Sequence, residues 1–367
     1  GQPAQAHCHG LRHPGTGREQ AAEAVHADAE NDEKNEGRQH GQDDAADAGS
    51  AAAGHGRPRG WLAARRLPAR WRLPDVKTVP ATAALGAPAP GAANPGWRAE
   101  LHLRCEQRRG PGGARTVLTH KHQLGPLTLQ RVFHPEGAPC HLYPLHPPGG
   151  VVGGDRLDVR LDIADGAHAL VTTPGATKFY RSAGALAHQD QRLAVAQGGV
   201  LEWLPQPAIL FPGARVRSRT DIRLHDDARF IGWEVLALGR PVIAERFSSG
   251  RLDAALRVSR AGRPLLDDRL RLHHPQDLDR PSGLRSRSVS GTFIATGAQE
   301  ADLSLALAIC DDASDTLTGV SLLQDLLVAR ALADTTEPVQ RVFCALWAAL
   351  RPRVLGLAPM PPRIWAT

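Results

Sequence analysis

The sequence of 367 residues has few aromatic residues, few cysteines and no long apolar run. Aromatics make up 4% of the chain. No stretch of about 18 or more apolar residues occurs, which excludes a membrane-spanning helix. The scattered cysteines form no Cys-x-x-Cys pair, which argues against a disulfide framework and a structural zinc site and favours a reducing, cytoplasmic location. The five cysteines are Cys8, Cys105, Cys140, Cys310 and Cys344.

The sequence also lacks a strong charge of either sign. Lys and Arg number 44 against 38 Asp and Glu, which gives a formal charge of +6. This excess is too small for the dense basic surface of a dedicated nucleic-acid binder. The average hides a division, because residues 1–60 hold ten acidic and six basic residues.

Residues 1–95 are predicted to form a disordered, low-complexity extension. Leu11 and Val25 are the only large aliphatic residues in 1–60, so this segment buries too little apolar surface to offset its ordering entropy. No apolar segment follows a basic start, so a signal peptide is not predicted. Six histidines of the extension could bind a borderline cation, although their irregular spacing fits an incidental origin at least as well. They are His7, His9, His13, His26, His40 and His55.

From residue 96 onward the sequence alternates in the manner of β-strands. Apolar residues occupy the odd positions of 156–163 and charged residues the even ones, which predicts a half-buried antiparallel strand. Turn residues separate the candidate strands, as is typical of an all-β sandwich, barrel or coil. No fixed-period repeat occurs, so a regular solenoid is not predicted. The other candidate strands are 98–105, 115–133, 167–173, 191–196, 200–204, 215–224, 229–237, 252–259, 265–272 and 301–309.

The periodicity becomes helical near the C-terminus. Residues 319–332 carry apolar side chains at helical spacing, and a second helix is expected with Thr336 as its N-cap and Pro352 as its end. The pair covers about residues 319–351. The predicted fold is therefore mainly β, an irregular multi-stranded β-coil or sandwich with a helical pair near the C-terminus. The apolar stripe of the second helix consists of Val339, Val342, Phe343, Leu346, Trp347 and Leu350.

Two unusual segments are candidates for binding. The glycine-rich run 149–155 lacks the Gly-Lys-Ser/Thr ending and the following helix of a phosphate loop, and Asp155 would repel a phosphate. We therefore predict a tight turn with an exposed carboxylate there. Residues 172–182 combine hydroxyls, a Pro-Gly turn, two basic residues and two aromatic rings. They form either a surface loop with two buried rings or a binding loop.

Nucleophile motifs are absent from the sequence. Neither a Gly-x-Ser-x-Gly elbow nor a His-Glu-x-x-His motif occurs. A triad dispersed along the chain would escape this search, so a β-sandwich hydrolase is the alternative function. His273 and His274 resemble a metal pair, but neighbouring strand residues point to opposite faces and a proline follows. We predict a loop position for them.

Glu202 and Glu234 each lie inside an apolar run that contains tryptophan. A buried ionised carboxylate costs free energy unless it is paired, hydrated or bound to a metal. Strand alternation can place each of them on the solvent face. Two such carboxylates in neighbouring strands also suit a polar interior path, and the sequence leaves both readings open.

A series of motifs in 146–366 resembles one known family. The motifs are His146-Pro-Pro-Gly-Gly-Val-Val-Gly-Gly-Asp155, Thr172-Thr-Pro-Gly-Ala-Thr-Lys-Phe-Tyr-Arg-Ser182, Glu202-Trp-Leu-Pro-Gln206, Phe211-Pro-Gly-Ala214, Phe230-Ile-Gly-Trp-Glu234, Leu238-Gly-Arg240 and Pro362-Arg-Ile-Trp-Ala366. In sequence, order and spacing these motifs resemble the urease accessory proteins UreD, called UreH in some organisms, and the resemblance covers about residues 96–367.

The resemblance implies a maturation chaperone and not an enzyme. A UreD protein is expected to bind apo-urease together with UreF and the GTPase UreG, which binds the GTP. Nickel is expected to arrive from UreE through UreG and to pass as cargo (Ni²⁺), so the chain needs no cofactor of its own. The implied fold is an irregular β-rich coil with helices near its C-terminus. Neither nucleic acid nor a membrane is an implied partner.

Candidate roles follow where the motifs match. Oxygen ligands bind nickel more weakly than thiolates and exchange it faster, which suits transit. The metal-path candidates are Asp155, Glu202 and Glu234. The binding-loop candidates are Thr173, Lys178, Tyr180 and Arg181. The exposed face of the helical pair is the expected docking surface for UreF. The partner-surface candidates are Arg240, Arg330 and Arg341.

Overall fold

The computed structural model describes residues 96–366, so the predicted extension over 1–95 lies outside the described residues. The described chain is built from β-strands with two α-helices near its end. The helices are α1 (Glu300–Asp311) and α2 (Thr336–Leu355). The strands are β1 (Arg98–Gly110), β2 (Gly113–Leu124), β3 (Thr128–Leu129), β4 (Cys140–Leu142), β5 (Pro144–Leu145), β6 (Arg156–Ile163), β7 (His168–Val171), β8 (Thr177–Phe179), β9 (Ala187–Val195), β10 (Val200–Trp203), β11 (Ala208–Leu210), β12 (Arg215–Leu224), β13 (Arg229–Arg240), β14 (Glu245–Arg246), β15 (Arg251–Arg260), β16 (Arg263–Leu272), β17 (Val289–Thr296), β18 (Leu317–Leu323) and β19 (Leu326–Ala333).

The strands form two main sheets that the chain visits in turn. A seven-stranded sheet has the order β16-β15-β12-β9-β6-β1-β2, and a ten-stranded sheet contains the order β18-β19-β17-β13-β10-β7-β4. After β6, β9 and β12 the chain crosses at once to β7, β10 and β13 of the other sheet. Each crossing completes part of a coil turn, which confirms a mainly β coil. The turns differ in length, since β6, β9, β12 and β15 start at residues 156, 187, 215 and 251. This irregularity explains why the sequence shows no fixed period.

The prediction of an antiparallel strand at 156–163 is wrong in its direction. The residues do form β6, and its burial alternates as expected. However, β6 pairs in parallel with both β1 and β9. Successive coil turns place neighbouring strands in the same direction, while solvent still covers the outer face of the sheet. Alternation therefore arises here in a parallel sheet, where it is unusual.

Two apolar cores divide the fold into three layers. One core fills the space between the two sheets, with Leu101, Leu161 and Phe230 among its buried members. The other lies between the ten-stranded sheet and the helices, around Phe293, Phe343 and Trp347. No helix in the described part of the chain is long and apolar enough to cross a membrane. The cysteines in 96–366 are free thiols.

The predicted helix over 319–332 is wrong, because this segment is the β18–β19 hairpin. Residues 326–329 are buried consecutively between the coil and the helical layer. A strand covered on both faces has a continuous apolar run, which periodicity alone does not distinguish from a helix. Gln324, with a φ of +60°, makes the tight turn, and the Asp325 carboxylate accepts a hydrogen bond from the Gly297 amide at 3.0 Å.

The predicted strand over 301–309 is also wrong, since these residues belong to α1. Leucines alternate with smaller residues in the sequence, but the buried side chains are Asp302, Ala306 and Cys310, spaced by one helical turn. Asp302 and Gln299 form a capping box, in which the Asp302 carboxylate accepts a hydrogen bond from the Gln299 backbone amide at 2.8 Å. The helical pair near the C-terminus is thus present, with its first helix earlier than expected.

The second predicted helix is confirmed as α2, with both ends shifted slightly. Thr335 is the N-cap and Thr336 the first helical residue. Pro352 lies inside the last turn, where its missing N–H removes one hydrogen bond, but its fixed φ is compatible with a helix and α2 continues to Leu355. Gly356, at a φ of +71°, supplies the left-handed residue that ends α2.

Gly232 of the Phe230-Ile-Gly-Trp-Glu motif is required by close backbone packing. It pairs with Trp203 between β10 and β13, and a Cβ there would lie 2.5 Å from the Trp203 carbonyl oxygen. We expect Gly232→Ala to lower the free energy of unfolding by about 1–3 kcal/mol through overpacking. Gly319→Ala in β18 is the matched control, because nothing lies within 4 Å of a Cβ there. Equal urea midpoints for the two variants would contradict this explanation.

Candidate functional site

Three of the quoted motifs pack against one another at one end of the coil. A Cβ on Gly150 would lie 2.1 Å from the Tyr180 ring, and one on Gly213 would lie 2.8 Å from the Arg181 side chain. Tyr180 also packs on the Phe211 ring at 4.8 Å between centroids. The small residues therefore make room for the aromatic and basic side chains of the 172–182 loop. We call this arrangement the motif cluster.

The binding-loop candidates lie in different environments within the motif cluster. The Thr173 hydroxyl accepts a hydrogen bond from the Gln206 amide at 2.9 Å, so it joins two motifs. Lys178 lies in β8 with its side chain exposed. Tyr180 is 38% exposed, which contradicts a loop with two buried rings, whereas Phe179 is 2% exposed.

The Asp155 carboxylate holds the glycine-rich run in place through hydrogen bonds to backbone amides. It is 6% exposed, which contradicts the expected exposed carboxylate. Its two oxygens accept hydrogen bonds from the Trp97 amide at 2.8 Å and the Val152 amide at 2.9 Å. The glycine-rich run thus turns around a carboxylate satisfied by backbone donors.

Residues of the motif cluster line a cavity of about 560 Å³ between the two sheets, here called the loop cavity. Its polar lining includes side chains from both sheets. These are Lys178, Gln189, Gln191, Gln206, Ser218 and Glu234. Gln189 Oε1 is buried without a hydrogen-bond partner among the described residues. The loop cavity therefore presents an unsatisfied oxygen acceptor in its wall.

A second cavity of about 420 Å³ lies toward the C-terminal strands, here called the C-terminal cavity. Asp268, Thr292 and Arg330 supply polar groups to it. Glu234 and Leu236 line both cavities and so form a wall common to the two. Of the three metal-path candidates, Glu234 is the one that lines these cavities.

Glu234 sits in β13 and faces the other sheet. Its carboxylate accepts a short hydrogen bond from the Thr220 hydroxyl of β12. Burial is the largest influence on this carboxyl and raises its pKa to about 7, although the Thr220 bond lowers it and Asp268 adds repulsion. A carboxylate whose partner is a neutral hydroxyl can exchange that hydrogen bond for a cation.

Glu202 lies outside both cavities, in a buried network that joins β10 to α2. Arg351 Nε and Nη2 donate to the two Glu202 oxygens, each at 2.9 Å. Trp347 Nε1 donates to Glu202 Oε2 at 2.7 Å, and His168 Nε2 lies 2.8 Å from Glu202 Oε1. Burial would raise the Glu202 pKa, but the bonds from His168 and Arg351 lower it to about 2.

A second carboxylate completes this network. Glu136 accepts hydrogen bonds from Arg351 Nη1 and Nη2 at 2.6 and 2.9 Å. His141 Nε2 lies 2.7 Å from Glu136 Oε1, and His141 is fully buried. Burial lowers the His141 pKa against the opposing effect of Glu136. Burial also opposes the charge of Arg351, but Glu136 and Glu202 raise its pKa overall.

Sequence reasoning missed Arg351, Glu136, His141 and His168. Arg351 follows Trp347 by four residues and so continues the apolar stripe of α2. An arginine on that stripe requires a buried acidic partner, and this was the available signal. Glu136 has no comparable signal, because it lies in an irregular segment 215 residues from Arg351.

The partner-surface candidates all take part in ion pairs. Arg330 donates to Asp268 at 3.1 Å and lines the C-terminal cavity. Arg341 on α2 pairs with Asp315 and, at 3.9 Å, with Glu337. Both arginine side chains are about half exposed.

Arg240 and the histidine pair lie elsewhere on the surface. Arg240 pairs with Glu245 and covers the Phe211 ring at 5.1 Å from its centroid. The loop position of His273 and His274 is confirmed, since both follow β16 and their amides donate to Asp277.

The fold and the site define a β-coil protein with polar cavities between its sheets. The sequence profile described as UreD urease accessory protein matches residues 98–366. This chain belongs to that family.

Individual relatives agree with the family match. The urease accessory protein UreD of Alcanivorax borkumensis is 47% identical over 273 residues, which cover 74% of this chain and 93% of the relative. That of Pseudomonas entomophila is 48% identical over 76% of this chain and 97% of the relative. The Aliivibrio fischeri protein is 40% identical over 74% of this chain and 97% of its own length.

Proposed function

We propose that this protein is a non-catalytic, cytoplasmic chaperone for urease maturation. It binds apo-urease together with UreF and UreG, and UreG binds and hydrolyses the GTP. Nickel, delivered to the complex by UreE, passes through the β-coil as cargo. Membership of the UreD family supports the assembly role. The position of Glu234 in the wall common to both cavities is the observation that supports the metal role.

The interior offers a route of oxygen donors. Gln189, Gln191 and Ser218 line the loop cavity before Glu234, and Thr292 lines the C-terminal cavity after it. Oxygen donors hold nickel weakly compared with thiolates, so the ion exchanges between them. Asp155 and Glu202 remain predictions as ligands, since backbone amides hold the first and Arg351 the second.

The assembly role places two surfaces in contact with partners. Arg341, on the exposed side of α2, and Arg330 suit an acidic face of UreF. The exposed Lys178 and Tyr180, with Arg181 and the nearby Arg240, form a second basic and aromatic surface beside the motif cluster. Charge complementarity between these two surfaces and their partners affects the rate of association more than the final affinity.

Reconstitution tests the chaperone role. Apo-urease, UreF, UreG, GTP, bicarbonate and nickel are combined with and without this full chain, and urease activity is measured. We expect activation to require the chain. Equal activation in both mixtures would remove the chaperone proposal.

The metal role is tested in the same assay with Glu234→Ala. We expect nickel incorporation to fall severalfold while the complex with UreF and UreG still forms, because the wall loses its carboxylate. Asp226→Ala, which removes an exposed carboxylate in the turn between β12 and β13, is the control. Full activation by Glu234→Ala, with the complex intact by gel filtration, would remove Glu234 from the route.

A further inference from the structure

A group of metal-ligating side chains lies on the outer face of the seven-stranded sheet, away from both cavities. Glu100 and His102 are two residues apart on β1, so they project from the same face. His122 of β2 pairs directly with His102 in the antiparallel register. We call Glu100, His102 and His122 the outer triad.

The donor atoms of the outer triad already converge. One ligand atom from each side chain lies within 4.8 Å of the other two. The Glu100 Oε2 to His122 Nε2 distance is 3.6 Å, and the two imidazole centroids are 5.3 Å apart. A cation about 2.1 Å from each donor requires donor separations of about 3–4 Å. Small rotations of the half-exposed imidazoles would close the remaining gap.

The donor set selects a class of metal. Two imidazoles and a carboxylate suit borderline divalent cations such as Ni²⁺ and Zn²⁺, whereas Mg²⁺ and Ca²⁺ prefer sites made of oxygen alone. Three protein ligands also leave coordination positions open for water or for a donor from another molecule. An open site on an exposed sheet edge therefore exchanges its ion readily.

We propose that Glu100, His102 and His122 form a surface site for a borderline divalent cation. The site is separate from the interior route, because its side chains project from the opposite face of the strands. It does not depend on the chaperone proposal, and the isolated full chain is expected to bind the ion without urease, UreF or UreG.

Arg98 competes with the cation for Glu100. Its Nε lies 2.5 Å from Glu100 Oε1, and its side chain is 73% exposed. The Glu100 carboxylate is buried, but the arginine end of this ion pair is in solvent and the pair is partly screened, so a cation that also binds two imidazoles can displace Arg98. Arg98→Gln should therefore tighten binding by about fivefold, because the cation no longer has to displace the arginine.

Binding is measured on the full chain by equilibrium dialysis against Ni²⁺ or Zn²⁺. We expect His102→Ala/His122→Ala to lose about one bound equivalent and Glu100→Gln to weaken that site by about tenfold or more. His120→Ala is the matched control, since His120 is an exposed histidine of β2 that lies outside the triad. The histidines of residues 1–60 contribute equally to every variant, so the differences isolate the outer triad.

Histidine modification gives a readout specific to each residue. Diethyl pyrocarbonate labelling with peptide mapping should show protection of His102 and His122 by Ni²⁺ or Zn²⁺ and none by Mg²⁺. At a metal concentration near the wild-type dissociation constant, most of this protection should be lost in Glu100→Gln, whose unchanged melting curve verifies folding. Equal metal content in the wild type and the double variant, or labelling of both histidines that Ni²⁺ and Zn²⁺ leave unchanged, would overturn the proposal.

Discussion

Replacing Arg351 with methionine is expected to lower the free energy of unfolding by about 3–5 kcal/mol. Methionine preserves much of the side-chain volume, so the change removes the charge and five donors more than it removes packing. Glu202 and Glu136 then lose four hydrogen bonds from the guanidinium while remaining buried. An uncompensated buried carboxylate is among the most destabilising defects that a single substitution creates.

The measurement is a urea titration at neutral pH, with Arg341→Met as the control. Arg341 lies on the same helix, but its ion pairs are exposed and are worth about 0–1 kcal/mol. Glu202→Gln combined with Arg351→Met should recover part of the loss, because it removes one orphaned charge. If Arg351→Met cost no more than Arg341→Met, the network would not hold α2 against the coil.

Most strands and the helix α2 were predictable from the sequence, while β18, β19 and α1 were not. Alternation identified β6, β12 and β15 because one face of each contacts solvent. Strand direction depends on which turn of the coil a strand joins, and local alternation does not encode that. The segment of β19 was predicted as a helix because the apolar run of a strand buried on both faces also matches helical spacing. The segment of α1 was predicted as a strand because its leucines alternate with smaller residues.

The candidate site was likewise predictable only in part. Glu202 and Glu234 both stood out as acidic residues in apolar runs, and both prove to be interior. The two carboxylates differ in their hydrogen-bond partners. Glu202 pairs with Arg351, which lies 149 residues away in the chain, whereas Glu234 accepts a hydrogen bond from the neutral hydroxyl of Thr220. A sequence therefore indicates that a carboxylate is buried more easily than it indicates what satisfies it.

That difference gives the second large effect, a dependence of stability on pH that Glu234→Gln should remove. The folded-state pKa of Glu234 is raised from 4.5 to about 7 by burial. The folded protein therefore retains a proton that the unfolded chain releases above its lower pKa. The stability from this proton is fully present below about pH 4.5 and is lost as the pH rises through about 7. The shift corresponds to roughly 3 kcal/mol.

Glutamine keeps a neutral side chain at every pH, so its stability relative to the wild type should rise by roughly 3 kcal/mol between about pH 4 and pH 8.5. Urea titrations across this range, with a chelator present, measure the difference. Glu337→Gln is the control, since Glu337 is 87% exposed and its replacement should stay within about 0.5 kcal/mol.

The stability of Glu234→Gln and its ability to activate urease together distinguish a structural carboxylate from a functional one. A residue kept only for packing would be replaced by glutamine with no loss of urease activation. We expect the opposite combination: at about pH 8.5 Glu234→Gln gains stability relative to the wild type and activates urease less, a trade-off typical of groups that destabilise a fold to serve a site. A constant stability difference between about pH 4 and pH 8.5 would show that Glu234 is not desolvated and would end this argument.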